Sequence, residues 1–136
     1  MSMKIRNWIA LGALAACVAV NAGAQAAGPA VADIQSAAKQ AQAACVKKGE
    51  AATVCACGVG LAYARLDPRV FVAAPKIDPL LDEKDPMKKI VGIAAIAQES
   101  GLSASDVQKA VEAVKSNRQS VKEVCGPLRP AKPGGA

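Results

Sequence analysis

The chain has 136 residues, a formal net charge of +6 and no histidine. This length leaves room for one small domain, and without histidine the commonest general base is missing, which argues against hydrolases that use a catalytic triad. Its 17 basic residues are spread along the chain, which has only one Trp, one Tyr and one Phe, so it lacks the clustered cations and stacking aromatics of a nucleic-acid-binding surface.

Residues 1–26 have the three-part layout of a secretory signal peptide. Two basic residues precede an apolar run over residues 8–20, and the small residues Ala24 and Ala26 fit the rule for signal cleavage. The apolar run is shorter than the roughly 20 residues that a spanning helix needs. We therefore expect cleavage between Ala26 and Ala27 and export of a mature chain to the bacterial periplasm or beyond.

A second interpretation of the same leader stays open. Residues 14–17 read Leu-Ala-Ala-Cys, which resembles the lipobox of bacterial lipoproteins. The resemblance implies that residues 1–16 are removed and that Cys17 is lipidated. The protein would then be membrane-anchored, and we expect contact with a membrane only in that case.

Two helices are predicted next, joined by a short turn. The first runs from Pro29 to about Lys48, because its apolar residues recur at intervals of three and four. These residues are Val31, Ile34, Ala38, Ala41 and Cys45. The second runs from Ala51 to Ala64 and is apolar nearly all round, so we expect it to be the most buried element. Its two glycines, at positions 58 and 60, predict close contact with a neighbour or a bend.

Residues 68–86 contain four prolines, at positions 68, 75, 79 and 86. Because proline ends helices, this segment is predicted to be a long loop laid over the helices. Its apolar residues are the candidate partner-binding surface: Val70, Phe71, Val72, Leu80 and Leu81. The acidic residues between positions 78 and 85 lack the spacing of a calcium loop and are expected to be solvated.

Two further helices are predicted after the loop. Asp85 and Pro86 are a capping residue and a first-turn proline, so the third helix begins there and continues to Ser100. Its predicted inner stripe is Met87, Ile90, Val91, Ala94 and Ala97, with Ile93 and Ile96 widening it. Ser103 is the expected N-cap of the fourth helix, which ends near residue 126. Residues 127–136, rich in Pro and Gly, are predicted to be a disordered tail.

Apart from Cys17, the chain has four cysteines, which is the even count expected of two disulfides in an exported protein. In an antiparallel hairpin that turns near residue 49, Cys45 lies opposite Cys55. Residues two apart on a helix point in nearly opposite directions, so Cys57 is left for Cys125. We therefore prefer the pairs Cys45–Cys55 and Cys57–Cys125 over the other two pairings.

Together these patterns predict an all-α domain over residues 29–126: a small four-helix, disulfide-stapled bundle with a long proline-rich loop between helices 2 and 3. We expect a non-enzymatic protein of the periplasm that binds another envelope protein or itself, with no cofactor, no metal site and no nucleic acid. One alternative is an outer-membrane lipoprotein that serves as an assembly or chaperone-like factor. Another is a thiol redox or metal-binding protein that uses Cys55 and Cys57.

Overall fold

The computed structural model describes residues 28–131. The predicted cleavage site at Ala26 and Ala27, and Cys17, lie outside the described residues. Over the described range the chain is all-α, as predicted, with five helices and a final turn of 3₁₀ helix. These elements are α1 (Val31–Lys47), α2 (Ala52–Arg65), α3 (Pro68–Asp82), α4 (Pro86–Ser100), α5 (Ala104–Cys125) and the turn Gly126–Leu128.

The ends of the helices follow the local signals in the sequence. Gly49 takes a φ of 90° in the turn after α1, a left-handed conformation that glycine adopts without steric cost. Asp85 caps α4, with its Oδ1 accepting from the Met87 N–H at 2.9 Å. Ser103 caps α5 and accepts from the Asp106 N–H at 3.1 Å. Both caps satisfy helix N–H groups that have no partner within the helix.

The predicted long loop is wrong: residues 68–82 form α3, so the bundle has five helices instead of four. Pro68 and Pro86 occupy first-turn positions, where the missing N–H costs nothing. Pro75 and Pro79 lie inside α3, and each removes one backbone hydrogen bond. The helix forms nevertheless, because Phe71, Ala73 and Ile77 are buried on its inner side.

Helices α3 and α5 form the centre of the molecule. Of the described helices, α3 packs against α1, α4 and α5 and makes a smaller contact with α2, whereas α5 packs against α2, α3 and α4. The hairpin of α1 and α2 therefore covers one side of the central pair, and α4 covers the other. The main buried cluster comes mostly from these two helices: Ala73, Ile77, Ile96, Val107, Ala110, Val111 and Val114.

Helix α2 is not the most buried element, which corrects the sequence prediction. Only Val54 and Cys55 of α2 are buried, whereas α5 buries five residues. The apolar character of α2 comes largely from Ala and Gly, which remove little area from water when they are covered. Placing α2 at the edge of the bundle therefore loses little hydrophobic stabilisation. Helix α5, whose large apolar residues lie on one side, occupies the centre instead. Within the described part of the chain, no helix is long and apolar enough to cross a bilayer.

Helix α4 turns a different face inward from the predicted one. Ile96 is buried and Ile93 and Ala97 pack against the main cluster, whereas most of the predicted inner stripe is exposed. Gly92 explains this orientation, since a Cβ built there would lie 2.5 Å from Cδ2 of Leu80. The missing side chain lets α4 approach α3 along the Gly92 side, and Met87, Ile90, Val91 and Ala94 are left facing outward.

Candidate functional site

Two disulfides join the hairpin and tie it to the end of α5. Cys45 bonds Cys55 with a Cα–Cα distance of 5.7 Å, and Cys57 bonds Cys125 with a Cα–Cα distance of 5.8 Å. Both preferred pairings are therefore confirmed. Disulfides are typical of proteins outside the reducing cytosol, which indicates an oxidising, non-cytoplasmic environment for this chain.

The same bonds show that Cys55 and Cys57 are both in the oxidised, disulfide-bonded state in this structure. Each is bonded to a different cysteine, so they do not form a pair with each other. A redox or thiolate role at these two positions would first require both disulfides to open. Among residues 28–131, no group of three or more His, Cys, Asp or Glu side chains is placed to hold a metal ion.

The residues predicted as a partner surface lie on α3, and most of them point towards the interior. Phe71 is buried and meets Tyr63 edge-on, with 5.6 Å between the ring centroids. Val70, Leu80 and Leu81 are half-buried against the main cluster, and Val72 is half-buried as well. That surface stays a prediction, and the larger exposed apolar area lies on the neighbouring helix.

This exposed area is the α4 outer face, which consists of Met87, Ile90, Val91 and Ala94. Met87, Ile90 and Val91 are 66%, 60% and 63% exposed, and Ala94, one turn after Ile90, is exposed as well. Their spacing of three, four and seven residues places them in one stripe along the helix. Sequence reasoning identified this stripe but assigned it to the core, because periodicity shows that residues share a face without showing where that face points.

A cavity of about 310 Å³ lies on the opposite side of the central pair, between α1, α2, α3 and α5. Most of its wall is apolar, and many of the side chains are small. Its residues include Ala41, Val54, Ala62, Phe71, Ala74, Val114 and Val121. Because the helices around it are padded with alanine, their backbones pass close together while their side chains leave space unfilled. The cavity was not expected from the sequence.

A cluster of charged side chains forms one edge of this cavity, centred on Arg118. Arg118 Nη2 lies 2.9 Å from Asp78 Oδ1, and its Nη1 lies 2.7 Å from Asp82 Oδ1. Lys48 Nζ donates to the other oxygen of Asp78 at 2.9 Å. This corrects the expectation that the acidic residues are simply solvated, because Asp78 and Asp82 connect α3 to α5 and to the end of α1.

The hydrogen bonds within this charged cluster shift the pKa values of three of its members. Burial raises the pKa of Asp78, but hydrogen bonds from Lys48 and Arg118 outweigh that effect, so its pKa lies below the ordinary value. The hydrogen bond from Arg118 also lowers the pKa of Asp82. In turn, hydrogen bonds to Asp82 and Asp78 raise the pKa of Arg118. At neutral pH Asp78, Asp82 and Arg118 are therefore charged and paired.

A second ion pair holds the start of the predicted tail. Arg129 Nη2 lies 2.6 Å from Glu50 Oε2, and its hydrogen bond lowers the pKa of that carboxyl. The structure therefore differs from the predicted disorder at the start of the tail, since residues 127 and 128 belong to the final turn and Arg129 contacts the hairpin at Glu50. Residues 132–136 lie outside the described range.

One side-chain atom of Asn117, a residue of the cavity wall, is buried without a hydrogen-bond partner in the described part of the chain. Its Oδ1 is buried and accepts no hydrogen bond from residues 28–131, and the residue lines the cavity beside Arg118. A buried carbonyl oxygen without a partner is uncommon in folded proteins and destabilises them by roughly 1–3 kcal/mol.

Comparisons of the chain with protein-family models, with curated proteins and with solved structures found no match.

Proposed function

We propose that this chain is a small exported, disulfide-bonded protein of the bacterial periplasm that acts by binding protein and not by catalysis. The α4 outer face carries the proposal, because its three large apolar side chains are each more than half exposed along one side of a helix. Contiguous exposed apolar surface of this kind is typical of a protein interface. The two disulfides and the signal-like leader support export.

The occupant we propose for the α4 outer face is a second copy of this chain. Its stripe of Met87, Ile90, Val91 and Ala94 is one helix wide, which suits the matching stripe of a single partner helix. In a two-fold symmetric dimer the same stripe serves both copies.

The first prediction concerns this interface. The chain purified from the periplasm of a bacterial host is expected to show a concentration-dependent dimer by sedimentation velocity. Ile90→Lys places a charge in the middle of the stripe, and we expect it to weaken association by tenfold or more, about 1.4 kcal/mol. The matched control is Val31→Lys, which alters a valine that is 71% exposed on α1 and should leave the dimer intact.

A chain that stays monomeric at high concentration would contradict the proposed occupant, and an Ile90→Lys variant that dimerises like the wild type would show that α4 is not the interface.

The processing of the leader separates the soluble form from the lipoprotein alternative. We expect the intact mass of the exported protein to correspond to a chain that begins at Ala27 with two disulfides. A mass that includes acyl chains on Cys17 would instead support the membrane-anchored assembly factor. Both forms present the same helical domain, so this measurement does not bear on the α4 outer face.

A further inference from the structure

Met87 is the only methionine that follows the leader. The sequence contains three methionines, and the other two, Met1 and Met3, lie in the leader together with the only tryptophan. The four cysteines after the leader are all bonded in disulfides, so none of them is a free thiol. A mild two-electron oxidant such as hydrogen peroxide therefore meets one readily oxidised side chain in the folded domain.

Small oxidants can reach the Met87 side chain. The residue is 66% exposed and lies in the first turn of α4, directly after Pro86. Its backbone N–H donates to Asp85 Oδ1 at 2.9 Å, so the helix start holds the residue in place. Met87 neither belongs to the main buried cluster nor packs against it. Oxidation of its sulfur would therefore leave the core untouched.

The environment of the protein favours this chemistry, because two disulfides indicate an oxidising, non-cytoplasmic location. In the reaction the thioether sulfur takes one oxygen atom from hydrogen peroxide, so that a sulfur–oxygen bond forms and the oxygen–oxygen bond breaks. The sulfur loses two electrons, and the peroxide is reduced to water. A thiol-dependent methionine sulfoxide reductase reverses the step with two electrons and two protons from a pair of thiols, and the oxygen leaves as water.

Oxidation of Met87 changes the chemistry of the α4 outer face. Met87 is one of its three large side chains, and a thioether is apolar and flexible, which suits an apolar interface. A sulfoxide is polar and accepts hydrogen bonds, whereas Ile90, Val91 and Ala94 have no side-chain donor to offer. Burial of the sulfoxide in the interface therefore opposes association. In a two-fold symmetric dimer the change occurs in both copies.

We propose that Met87 is a reversible oxidation site whose sulfoxide releases the dimer formed through the α4 outer face. The switch acts on the proposed interface and therefore rests on that function. In the reduced form the chain associates with a second copy. In the oxidised form each monomer keeps its fold and presents a more polar face.

Peroxide treatment of the disulfide-bonded chain tests the switch. After the peroxide is removed, peptide mapping by mass spectrometry is expected to find one added oxygen atom, on Met87. Sedimentation velocity should then show a dimer Kd raised about tenfold or more over that of the untreated chain, as expected when a polar group without a partner enters an interface. The melting temperature of the dilute, monomeric protein should not change, because Met87 lies outside the main buried cluster.

Two variants separate the role of Met87 from a general effect of peroxide. Met87→Leu keeps a large apolar side chain without sulfur, so it is expected to dimerise like the untreated wild type and to be insensitive to peroxide. Adding Val31→Met to that variant moves the methionine to a position on α1 where the valine is 71% exposed. This double variant should take up oxygen as the wild type does while its dimer stays intact.

The results that overturn the switch can be told apart from failure of the dimer. If peroxide oxidises the methionine introduced at position 31 but not Met87, Met87 is not an oxidation site. If oxidised Met87 leaves the dimer Kd unchanged, or if peroxide also dissociates the Met87→Leu variant, Met87 is not the switch, although the dimer through α4 stands. An untreated chain that stays monomeric at every concentration contradicts both the dimer and the switch.

Discussion

At the scale of single residues, Arg118 joins two separate parts of the chain. Its guanidinium contacts two carboxylates of α3 and also donates to the backbone carbonyl of Asp78 at 3.1 Å. The planar guanidinium group supplies these donors in a fixed arrangement, which Lys cannot reproduce. In the sequence Arg118 belongs to the charged face of an amphipathic helix, and only the position of α3 beside α5 turns it into a crosslink.

Asp78 gives this cluster a pH dependence. Its pKa is lowered in the folded protein from an ordinary value of 3.8, so the ionised form stabilises the fold above that pH, and the stabilisation is lost as the pH falls through the folded pKa. We predict that Asp78→Asn lowers the free energy of unfolding at pH 7 by about 1–2 kcal/mol, with partial screening by solvent. The wild type and this variant should converge in stability as the pH falls below the folded pKa of Asp78.

Melting curves recorded by circular dichroism across this pH range test the prediction. Glu112→Gln is the control, since Glu112 is exposed on α5 and its ion pair with the exposed Lys115 spans 3.9 Å. Its melting temperature should follow that of the wild type at each pH. If the Asp78→Asn variant loses stability on acidification as steeply as the wild type does, Asp78 is not the source of the pH dependence.

At the scale of elements, α3 shows how burial overrides a local signal. Val70, Ala74, Ile77 and Leu81 recur at helical spacing, so the periodicity that predicts a helix was present beside the prolines that argue against one. Removing two hydrogen bonds at Pro75 and Pro79 destabilises a helix by a few kcal/mol. Burial of Phe71 and Ile77 offsets this at roughly 1.5–3 kcal/mol for each side chain.

Helix α2 permits a matched comparison of two glycines. A Cβ built on Gly58 would lie 3.1 Å from Val121 Cγ1 of α5, whereas one on Gly60 meets nothing within 4 Å. The expected close contact with a neighbour thus exists at Gly58 alone. We predict that Gly60→Ala raises the free energy of unfolding by about 0.5–1 kcal/mol through helix propensity, and that Gly58→Ala gains less or loses stability because Val121 must move.

Urea denaturation of the two variants measures this difference directly. Both changes are Gly to Ala in the interior of one helix, so the propensity gain is common to them and cancels in the comparison. Equal stabilisation by Gly58→Ala and Gly60→Ala would mean that the approach of α2 to α5 does not restrict residue 58.

At the scale of the whole molecule, the disulfides compensate for a core of small side chains. Among residues 28–131, the buried residues other than cysteine are mostly Ala and Val, with one Phe and two Ile. The Cys45–Cys55 bond closes a separation of 10 residues and the Cys57–Cys125 bond one of 68. In the chain-entropy model these bonds contribute about 3 and about 4 kcal/mol, which is a large share of the stability of a small domain.

We predict that reduction of both bonds lowers the melting temperature by tens of degrees or abolishes the helical signal at ambient temperature, since about 1 kcal/mol corresponds to roughly 4–8 °C for a domain of this size. Each bond can be removed separately by changing both of its cysteines to serine. The variant without the Cys57–Cys125 bond should be less stable than the variant without the Cys45–Cys55 bond, because the missing bond closes the longer loop. Thermal unfolding of both deletions, and of the wild type with and without a strong reductant, tests this order. A melt that reduction leaves unchanged would contradict the structural role of the disulfides.

The sequence alone was sufficient for the class of the fold and for its covalent links. Caps such as Asp85 and Ser103 act on the nearest backbone N–H groups, and two cysteines on a short hairpin face each other by helix geometry, so both follow from spacing along the chain. The direction of an apolar face does not follow from spacing. Whether α3 forms across its prolines, which side of α4 turns inward, and whether Arg118 meets Asp78 all depend on which helices lie beside each other. These features depend on burial and pairing between residues far apart in sequence. The α4 outer face and the cavity can therefore be recognised only in the folded structure.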